Sequence, residues 1–238
     1  MICGGGVWEQ YSIASIILYD EEKDNLIDGQ HRLAAVVESG VTIGFLVYLV
    51  NANNKINFID RGKTRTVSDL MTFQGYDNDV ANSAIVAVSK YYYEAFASNG
   101  KNKYCSDGDA IKFTIDNQEV LKKAKKLTYK GSSSLTRSAP IIFAAFCALK
   151  AGVSYDDLDH FFDVVNSGFA NGSKDSSAVV LRKELQDLKG KNNLSQRVRR
   201  TEFADMAIYD YVNNKERKQK YKTTRRIYVD LFCKNYTE

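Results

Sequence analysis

Seven consecutive residues carry the clearest chemical signal in this chain. An apolar pair leads into an acid, a glycine, an amide, an imidazole and a guanidinium, in the order Leu26-Ile27-Asp28-Gly29-Gln30-His31-Arg32. Apolar residues at helical spacing follow at once. The pattern predicts a strand, a tight turn and the first turn of a helix, where unpaired backbone N–H groups and the positive end of the helix dipole favour a phosphate or a carboxylate.

Two residues of this turn are candidates for catalysis. His31 can donate to a phosphate oxygen or carry a proton near neutral pH. Asp28 can hold a divalent metal ion or orient His31. The alternative for Asp28, which we favour, is a cap that accepts backbone N–H bonds of the turn.

The remaining polar residues of the turn are candidates for phosphate binding. Arg32 is the best suited, since a guanidinium offers a planar pair of donors, and its alternative role is an ion pair with Asp28 or Asp60. Gly29 is predicted to adopt a positive φ or to allow a close approach of the backbone. Gln30 can hydrogen-bond to a ligand or to a neighbouring strand.

A second polar turn repeats the arrangement. A predicted strand at Ile56–Ile59 leads into residues 60–65, which read DRGKTR, and then into a helix start. Lys63 and Arg65 would add positive charge beside that helix start, with a solvated turn as the alternative, and Asp60 can pair with Arg32. We expect both turns to face one anion-binding pocket lined by Gly29, Gln30, His31, Arg32, Asp60, Lys63 and Arg65.

The two turns resemble signature segments of the ParB/sulfiredoxin-like superfamily. Residues 26–33 read LIDGQHRL and resemble the DGQHR signature of its little-characterised phage and bacterial members. Residues 59–70 read IDRGKTRTVSDL and resemble a later segment of the form IDxGKxRSxxDxL. The resemblance covers about the first third of the chain.

The resemblance implies a small mixed α/β domain whose glycine turn holds nucleotide phosphates, with ATP or CTP and Mg²⁺ as candidate cofactors. Members of the superfamily bind CTP and clamp DNA, repair an oxidised cysteine with ATP, phosphorylate free serine or regulate DNA modification. The repair reaction is rejected here, because Gln30 stands where its catalytic cysteine would be. Relatives carry a strand and a helix before a Gly-x-Trp segment, and since this segment is Gly6-Val7-Trp8 here, we expect that element to be missing.

The hydrophobic pattern predicts an α+β fold in two domains. Strands are predicted at Ser12–Tyr19, at Leu26–Ile27 and, as a central strand, at Thr42–Val50. From Asn78 onward the pattern is almost entirely helical. We therefore predict a ParB/sulfiredoxin-like α/β domain at residues 1–77 and an all-α domain at residues 78–238.

Local signals predict where several helices begin and end. Glycines at residues 40 and 168 are expected at helix C-termini, and Pro140 is expected in the first turn of a helix that runs to Lys150. One helix is predicted from Ser106 to Lys126. Capping boxes are predicted for the pairs Thr66 and Asp69, Ser106 and Asp109, and Ser154 and Asp157.

The C-terminal segment is strongly basic. The chain carries a net charge of +4, of which residues 191–238 contribute +6, which leaves −2 for residues 1–190. A basic tail indicates a polyanionic partner, with a solvated helix face as the alternative. The candidate nucleic-acid-binding residues are Lys215, Arg217, Lys218, Lys220, Lys222, Arg225 and Arg226.

Composition and missing motifs narrow the class of protein. The first residues lack the basic and apolar regions of a secretory signal, and no apolar run is long enough to span a membrane. The four cysteines show no CxxC spacing. We therefore expect free thiols in the cytoplasm. It has no Walker loop, HExxH, GxSxG or zinc-ligand cluster. His160, between Asp159 and Phe161, is expected to be non-functional.

Three functions remain open. The first is a phage or mobile-element protein that binds a nucleotide or phosphate and associates with DNA. The second is a nucleotide-dependent phosphotransferase or nuclease that uses His31 and Asp28. The third is a regulatory or defence-related interaction protein with a vestigial pocket, and a homodimer is a candidate assembly for each.

Overall fold

The computed structural model describes residues 16–21, 23–49, 66–97, 105–130 and 134–236. The chain divides into two compact units, residues 1–64 and residues 65–238. In the described part of the chain, the first unit contains three strands and one α-helix, and the second contains nine α-helices. The fold therefore belongs to the α+β class, as the sequence predicts.

The first unit is a small mixed sheet with one helix. Its elements in chain order are β1 (Ile16–Asp20), β2 (Asn25–Asp28), α1 (Gln30–Ser39) and β3 (Leu46–Leu49). Strand β1 lies in the middle, antiparallel to β2 and parallel to β3. Parallel strands need a crossover connection, and α1 lies within that connection, between β2 and β3.

Strand β3 differs from its sequence prediction. It covers only Leu46–Leu49 of the predicted run Thr42–Val50, and it lies at the edge of the described sheet rather than at its centre. Within that sheet it pairs with β1 alone, so each of its four side chains is more than half exposed. The central position predicted for this run is therefore not found within the described sheet, and the strand predicted at Ile56–Ile59 lies outside the described residues.

The second unit is an assembly of helices. These are α2 (Val67–Phe73), α3 (Ser83–Ala95), α4 (Asp107–Asp116), α5 (Gln118–Thr128), α6 (Ala139–Lys150), α7 (Tyr155–Ser167), α8 (Ser176–Asp187), α9 (Leu194–Val212) and α10 (Tyr228–Tyr236). Helix α6 is the centre of the core, because every residue from Pro140 to Ala148 is buried. It packs against α3, α5, α9 and α10.

Aromatic side chains join the last described helix to this core. The Phe232 ring of α10 lies 4.9 Å from the ring of Phe146 in α6 and 5.7 Å from that of Tyr92 in α3, measured between centroids. Such edge-to-face pairs stabilise a core beyond the apolar area they bury. Helix α10 is therefore an integral part of the helical unit.

Most local signals at the helix ends are confirmed. Thr66 and Ser106 form capping boxes with the aspartates three residues later. Pro140 lies in the first turn of α6, and the glycines at residues 40 and 168 end α1 and α7 in the left-handed conformation.

Two predictions at helix ends are wrong. The helix predicted from Ser106 to Lys126 is broken at Asn117, whose side-chain amide donates to the carbonyl of Phe113 at 3.0 Å, between α4 and α5. Ser154 makes no side-chain cap at the start of α7. Its expected partner, Asp157, instead accepts a hydrogen bond from Lys174 at 3.0 Å.

The division into units places α2 with the other helices. Helix α2 buries Val67 and Met71, and it packs against α3 and α4. The helical unit therefore begins before α2, whereas the predicted domain boundary lies after residue 77. Among the described residues, no helix is both long enough and apolar enough to cross a membrane.

Candidate functional site

The turn before α1 has the backbone geometry that its glycine predicts. Gly29 is buried, adopts a φ of 108° and forms the N-cap of α1. A Cβ atom at this position would collide with Cδ1 of Ile17. The left-handed backbone therefore favours glycine here, and any larger residue would also force the Ile17 side chain to shift.

The charged groups of this turn bind to each other and to the backbone. One carboxylate oxygen of Asp28 accepts the backbone N–H of Gly29 at 2.7 Å, and the other accepts a guanidinium N–H of Arg32 at 2.9 Å. Arg32 also donates to the backbone carbonyl of Ile16. The capping interpretation of Asp28 and the ion-pair alternative for Arg32 therefore match the contacts observed.

The other two polar side chains of the turn lie at the surface. Gln30 donates to the carbonyl of Leu26 at 3.2 Å, so it bonds to strand β2, and His31 is exposed. Asp60, Lys63 and Arg65 lie outside the described residues. The shared pocket between the two polar turns therefore stays a prediction.

The described part of the chain contains no cluster of side chains arranged as metal ligands. No group of three or more His, Cys, Asp or Glu side chains is placed there to hold a metal ion. His160 lies on α7 and its Nε2 is 3.1 Å from Oδ1 of the buried Asp175, beside the start of α8. This contact gives His160 a structural partner.

The basic C-terminal segment forms a loop rather than a helix. Residues 213–227, here called the basic loop, connect α9 to α10 without regular secondary structure. All seven predicted nucleic-acid-binding residues lie on this loop. Contacts to neighbouring helices hold these fifteen irregular residues in place.

One anchor of the basic loop is Arg217. Its guanidinium donates two hydrogen bonds to Oδ2 of Asp210 on α9, at 3.0 and 2.7 Å, and its backbone N–H donates to Oγ of Ser176 at 2.9 Å. The guanidinium also lies 4.5 Å from the centre of the Tyr221 ring. Tyr221 is itself buried and stacks on Phe203 of α9, so the middle of the loop is tied to α9 by both charge and packing.

The other anchor lies where the basic loop enters α10. The carboxylate of Asp205, on α9, accepts the backbone N–H groups of Ile227 and of Tyr228, the latter at 3.1 Å. Burial raises the pKa of Asp205 to about 7, although these backbone donors favour its charged form. Asp205 thus satisfies the free N–H groups at the start of α10 from a neighbouring helix.

Between these anchors the basic loop and α9 line an open concavity of about 400 Å³, here called the basic cavity. Five of its lining residues are cationic, and one, Asp210, is acidic. The remaining lining residues are polar or apolar without charge. The full set is Met206, Tyr209, Asp210, Lys215, Arg217, Gln219, Lys220, Lys222, Thr223, Arg225 and Ile227.

The five cations differ in whether their charge is already paired with a protein group. Arg217 is paired with Asp210, and Lys220 is paired with Asp187 on α8. The ammonium of Lys215 lies 4.7 Å from the centre of the Tyr209 ring. Within the described residues, the side chains of Lys222 and Arg225 form no ion pair, and both residues are exposed. The cavity therefore has an excess of positive charge that an external anion can neutralise.

Two of the seven predicted residues do not line the basic cavity. Lys218 pairs with Glu216 at 3.5 Å, and Arg226 pairs with Asp230 at 3.1 Å. Their charges are partly neutralised locally. The structure thus brings five of the seven cations together and leaves these two out.

Sequence reasoning missed the wall that α9 contributes. Met206, Tyr209 and Asp210 occupy positions i, i+3 and i+4, so they lie on one face of the helix. That spacing is visible in the sequence, but its meaning depends on the loop folding back over α9. Asp205 was missed for the same reason, since its partners are backbone N–H groups more than twenty residues away.

Comparisons with known proteins assign no family. No protein-family model matches the sequence, and neither a curated protein nor a solved structure matches it. What the chain itself offers is its geometry, and the basic cavity gathers five cations around one space.

Proposed function

We propose that this protein is a DNA-associated nucleic-acid-binding protein of phage or mobile-element type that holds the phosphate backbone in its basic cavity. The observation that carries the proposal is the concentration of five cations and one acid around a single concavity. Phosphate groups on nucleic acid are the most abundant polyanionic partner of such surfaces. The charge lies on an anchored loop, so it is already in place before a ligand binds.

The distribution of partners within the cavity supports a ligand larger than one small anion. Lys222 and Arg225 form no ion pair within the described residues, whereas Arg217 and Lys220 share their charge with aspartates. A cavity of about 400 Å³ also exceeds the space that one phosphate fills. A chain of linked phosphates can contact the unpaired cations and the shared ones together.

The turn at Asp28–Arg32 contributes less to this proposal. Nucleotide binding there, with ATP or CTP and Mg²⁺, is a separate proposal that rests on the resemblance to ParB/sulfiredoxin-like proteins. The bonds of Arg32 to Asp28 and to the Ile16 carbonyl favour a structural role for its guanidinium. A nucleotide-dependent phosphotransferase or nuclease reaction that uses His31 and Asp28 is likewise a separate proposal.

We also propose a cytoplasmic location. The described cysteines Cys105 and Cys147 are free thiols. Free thiols are the ordinary state of cysteine in a reducing compartment. Nucleic acid in the same compartment would be accessible to the basic cavity.

Binding across a salt series tests the proposed function. Fluorescence anisotropy with a labelled oligonucleotide is measured between 50 and 300 mM KCl, roughly the range over which phosphate contacts dominate affinity. The variant Lys222→Gln/Arg225→Gln removes the two unpaired cations. Because each lost phosphate contact lowers the slope of log K against log salt by about one, we expect the slope to fall by about two.

A matched control distinguishes the effect of the cavity cations from the effect of a lower net charge. The variant Lys123→Gln/Lys183→Gln removes the same charge from two exposed lysines, one on α5 and one on α8, that do not line the basic cavity. Its slope should stay within experimental error of the wild type. Equal losses in both double variants would overturn the proposed function, as would an oligonucleotide affinity that does not respond to salt.

A further inference from the structure

The shape of the basic cavity restricts which form of nucleic acid can enter it. The cations line a concavity that is bounded by α9 and by a loop anchored at Arg217 and near Ile227. The phosphates of a continuous duplex lie on the outside of a wide, stiff cylinder. A cavity of about 400 Å³ is of the size that proteins use for single small ligands, and one nucleotide is of that class.

The wall contributed by α9 provides an apolar surface beneath the cations. Met206, Tyr209 and Ile227 all line the cavity. Tyr209 is half-buried, its ring centre is 6.2 Å from that of Tyr228, and the ammonium of Lys215 lies over the ring at 4.7 Å from its centre. Aromatic rings beside cations are the surface on which single-stranded nucleic acids stack their bases.

The one acid of the cavity is suited to a ligand that carries hydrogen-bond donors. Asp210 is 5% exposed, and the side-chain hydrogen bonds from Arg217 and Tyr221 all go to its Oδ2. Within the described residues, its Oδ1 accepts no side-chain or backbone donor. A bare phosphate at neutral pH offers few donors, whereas the amino group of a base or a sugar hydroxyl suits a carboxylate oxygen. Gln219 and Thr223 add neutral groups that can bond to either.

We infer that the basic cavity takes one unpaired nucleotide, so that the partner is a single-stranded nucleic acid rather than a continuous duplex. This inference rests on the proposed function and specifies its partner. The cations hold the flanking phosphates, the apolar wall at Met206 and Tyr209 contacts the base, and Asp210 accepts a donor from the base or the sugar.

The test compares strands of equal length. Labelled dT12, rU12 and a 12-base-pair duplex are titrated at 150 mM KCl, with inorganic polyphosphate and poly-glutamate as polyanions without bases. Stacking of one base corresponds to roughly a tenfold gain in affinity, so we expect at least one single strand to bind about tenfold more tightly than the duplex. The dT12 and rU12 arms identify the preferred sugar.

Variants at Tyr209 test whether the preference for single strands over the duplex arises in the basic cavity. Tyr209→Leu should lower single-strand affinity about fivefold to tenfold and leave polyphosphate binding unchanged, while Tyr209→Phe should keep the preference. Tyr129→Leu, at an exposed tyrosine outside the basic cavity, is the matched control. A fluorescent 2-aminopurine at the centre of the strand should change its emission on binding to the wild type and much less with Tyr209→Leu.

The outcomes distinguish this inference from the proposed function. If the duplex binds as tightly as the single strands and Tyr209→Leu changes nothing, the inference is wrong while the proposed function survives through Lys222 and Arg225. If polyphosphate or poly-glutamate binds as tightly as every oligonucleotide, the cavity does not select nucleotides and the inference is also wrong. If no oligonucleotide binding depends on Lys222 and Arg225, both fail.

Discussion

Two arginine–aspartate pairs in this protein have similar geometry but different surroundings. Arg32 pairs with Asp28 at 2.9 Å at the turn before α1, and Arg217 pairs with Asp210 at 2.7 Å beside the basic loop. At the first turn, Asp28 and the Ile16 carbonyl take up the guanidinium. At the second, four further cations line the same cavity. The surroundings of each pair, rather than its sequence motif, therefore decide how much positive charge one open space presents.

The largest expected effect on stability is a pH dependence that arises from Asp205, one anchor of the basic loop. Its pKa is raised by burial from 3.8 to about 7, so the folded protein binds a proton more tightly than the unfolded chain. Stability from this group is fully present below the unfolded pKa and is lost as the pH rises through about 7. Between pH 5 and pH 8 this loss amounts to roughly 3 kcal/mol.

Denaturant unfolding of wild type and Asp205→Asn at several pH values measures this contribution. The difference in free energy of unfolding between the two proteins should change with pH across this range, because asparagine does not titrate. A constant difference from pH 5 to pH 8 would show that Asp205 stays charged throughout, and that its backbone donors outweigh its burial.

The second effect concerns the charge pair that anchors the loop. Arg217→Met leaves the buried carboxylate of Asp210 without its cation, which costs 3–5 kcal/mol at a fully buried pair. Because Arg217 is one-third exposed, we expect a loss of about 2 kcal/mol in the free energy of unfolding. Lys218→Met, at the neighbouring residue with a side chain 79% exposed, should change it by less than about 0.5 kcal/mol. Similar losses in both variants would mean that the Arg217–Asp210 pair does not anchor the loop.

The third effect concerns the glycine turn of the first unit. Gly29→Ala combines a left-handed backbone with a collision against Ile17, so we expect a loss of about 2 kcal/mol or more. Gly40→Ala is the control, since Gly40 also has a positive φ but has nothing near its would-be Cβ. It should lose only about 1 kcal/mol. Thermal unfolding of both variants measures the difference, and equal losses would remove the role of Ile17.

The smallest effect tests whether the charge at the first turn is available to a ligand. Asp28→Asn weakens the pair with Arg32 and should lower the free energy of unfolding by about 1 kcal/mol, as partly exposed pairs do.

Thermal unfolding with ATP, ADP, CTP or GTP and Mg²⁺ should show no stabilisation of the wild type if Arg32 is fully engaged. A rise in melting temperature with one nucleotide would instead support the phosphate-binding proposal, since a ligand at a hundred times its Kd adds about 2.7 kcal/mol.

Sequence reasoning succeeded where a signal is local. The capping boxes at Thr66 and Ser106, the position of Pro140 and the left-handed Gly29 each follow from residues within one turn of one another. The break at Asn117 was missed because helix propensity continues on both sides of it, and the interruption depends on a side chain bonding to the backbone of the preceding turn.

The candidate site could be predicted only in part. The seven cations are evident in the sequence, and five of them line the basic cavity. Pairing does not decide which five line it, because Arg217 and Lys220 line the cavity although each pairs with an aspartate, whereas Arg226, which also pairs with one, does not. The apolar wall from Met206 and Tyr209 required the loop to fold back over α9, and no local pattern specifies that return.

The packing of α10 has a consequence for motion at the basic loop. Phe232 of α10 is embedded among the rings of α3 and α6, and the loop ends directly at α10. Opening the loop by releasing this helix would therefore expose part of the central core, so we expect the loop to unfold together with α6. Amide hydrogens such as those of Ile227 and Tyr228 should exchange with solvent on the slow timescale of whole-unit unfolding, unlike those of an ordinary surface connection.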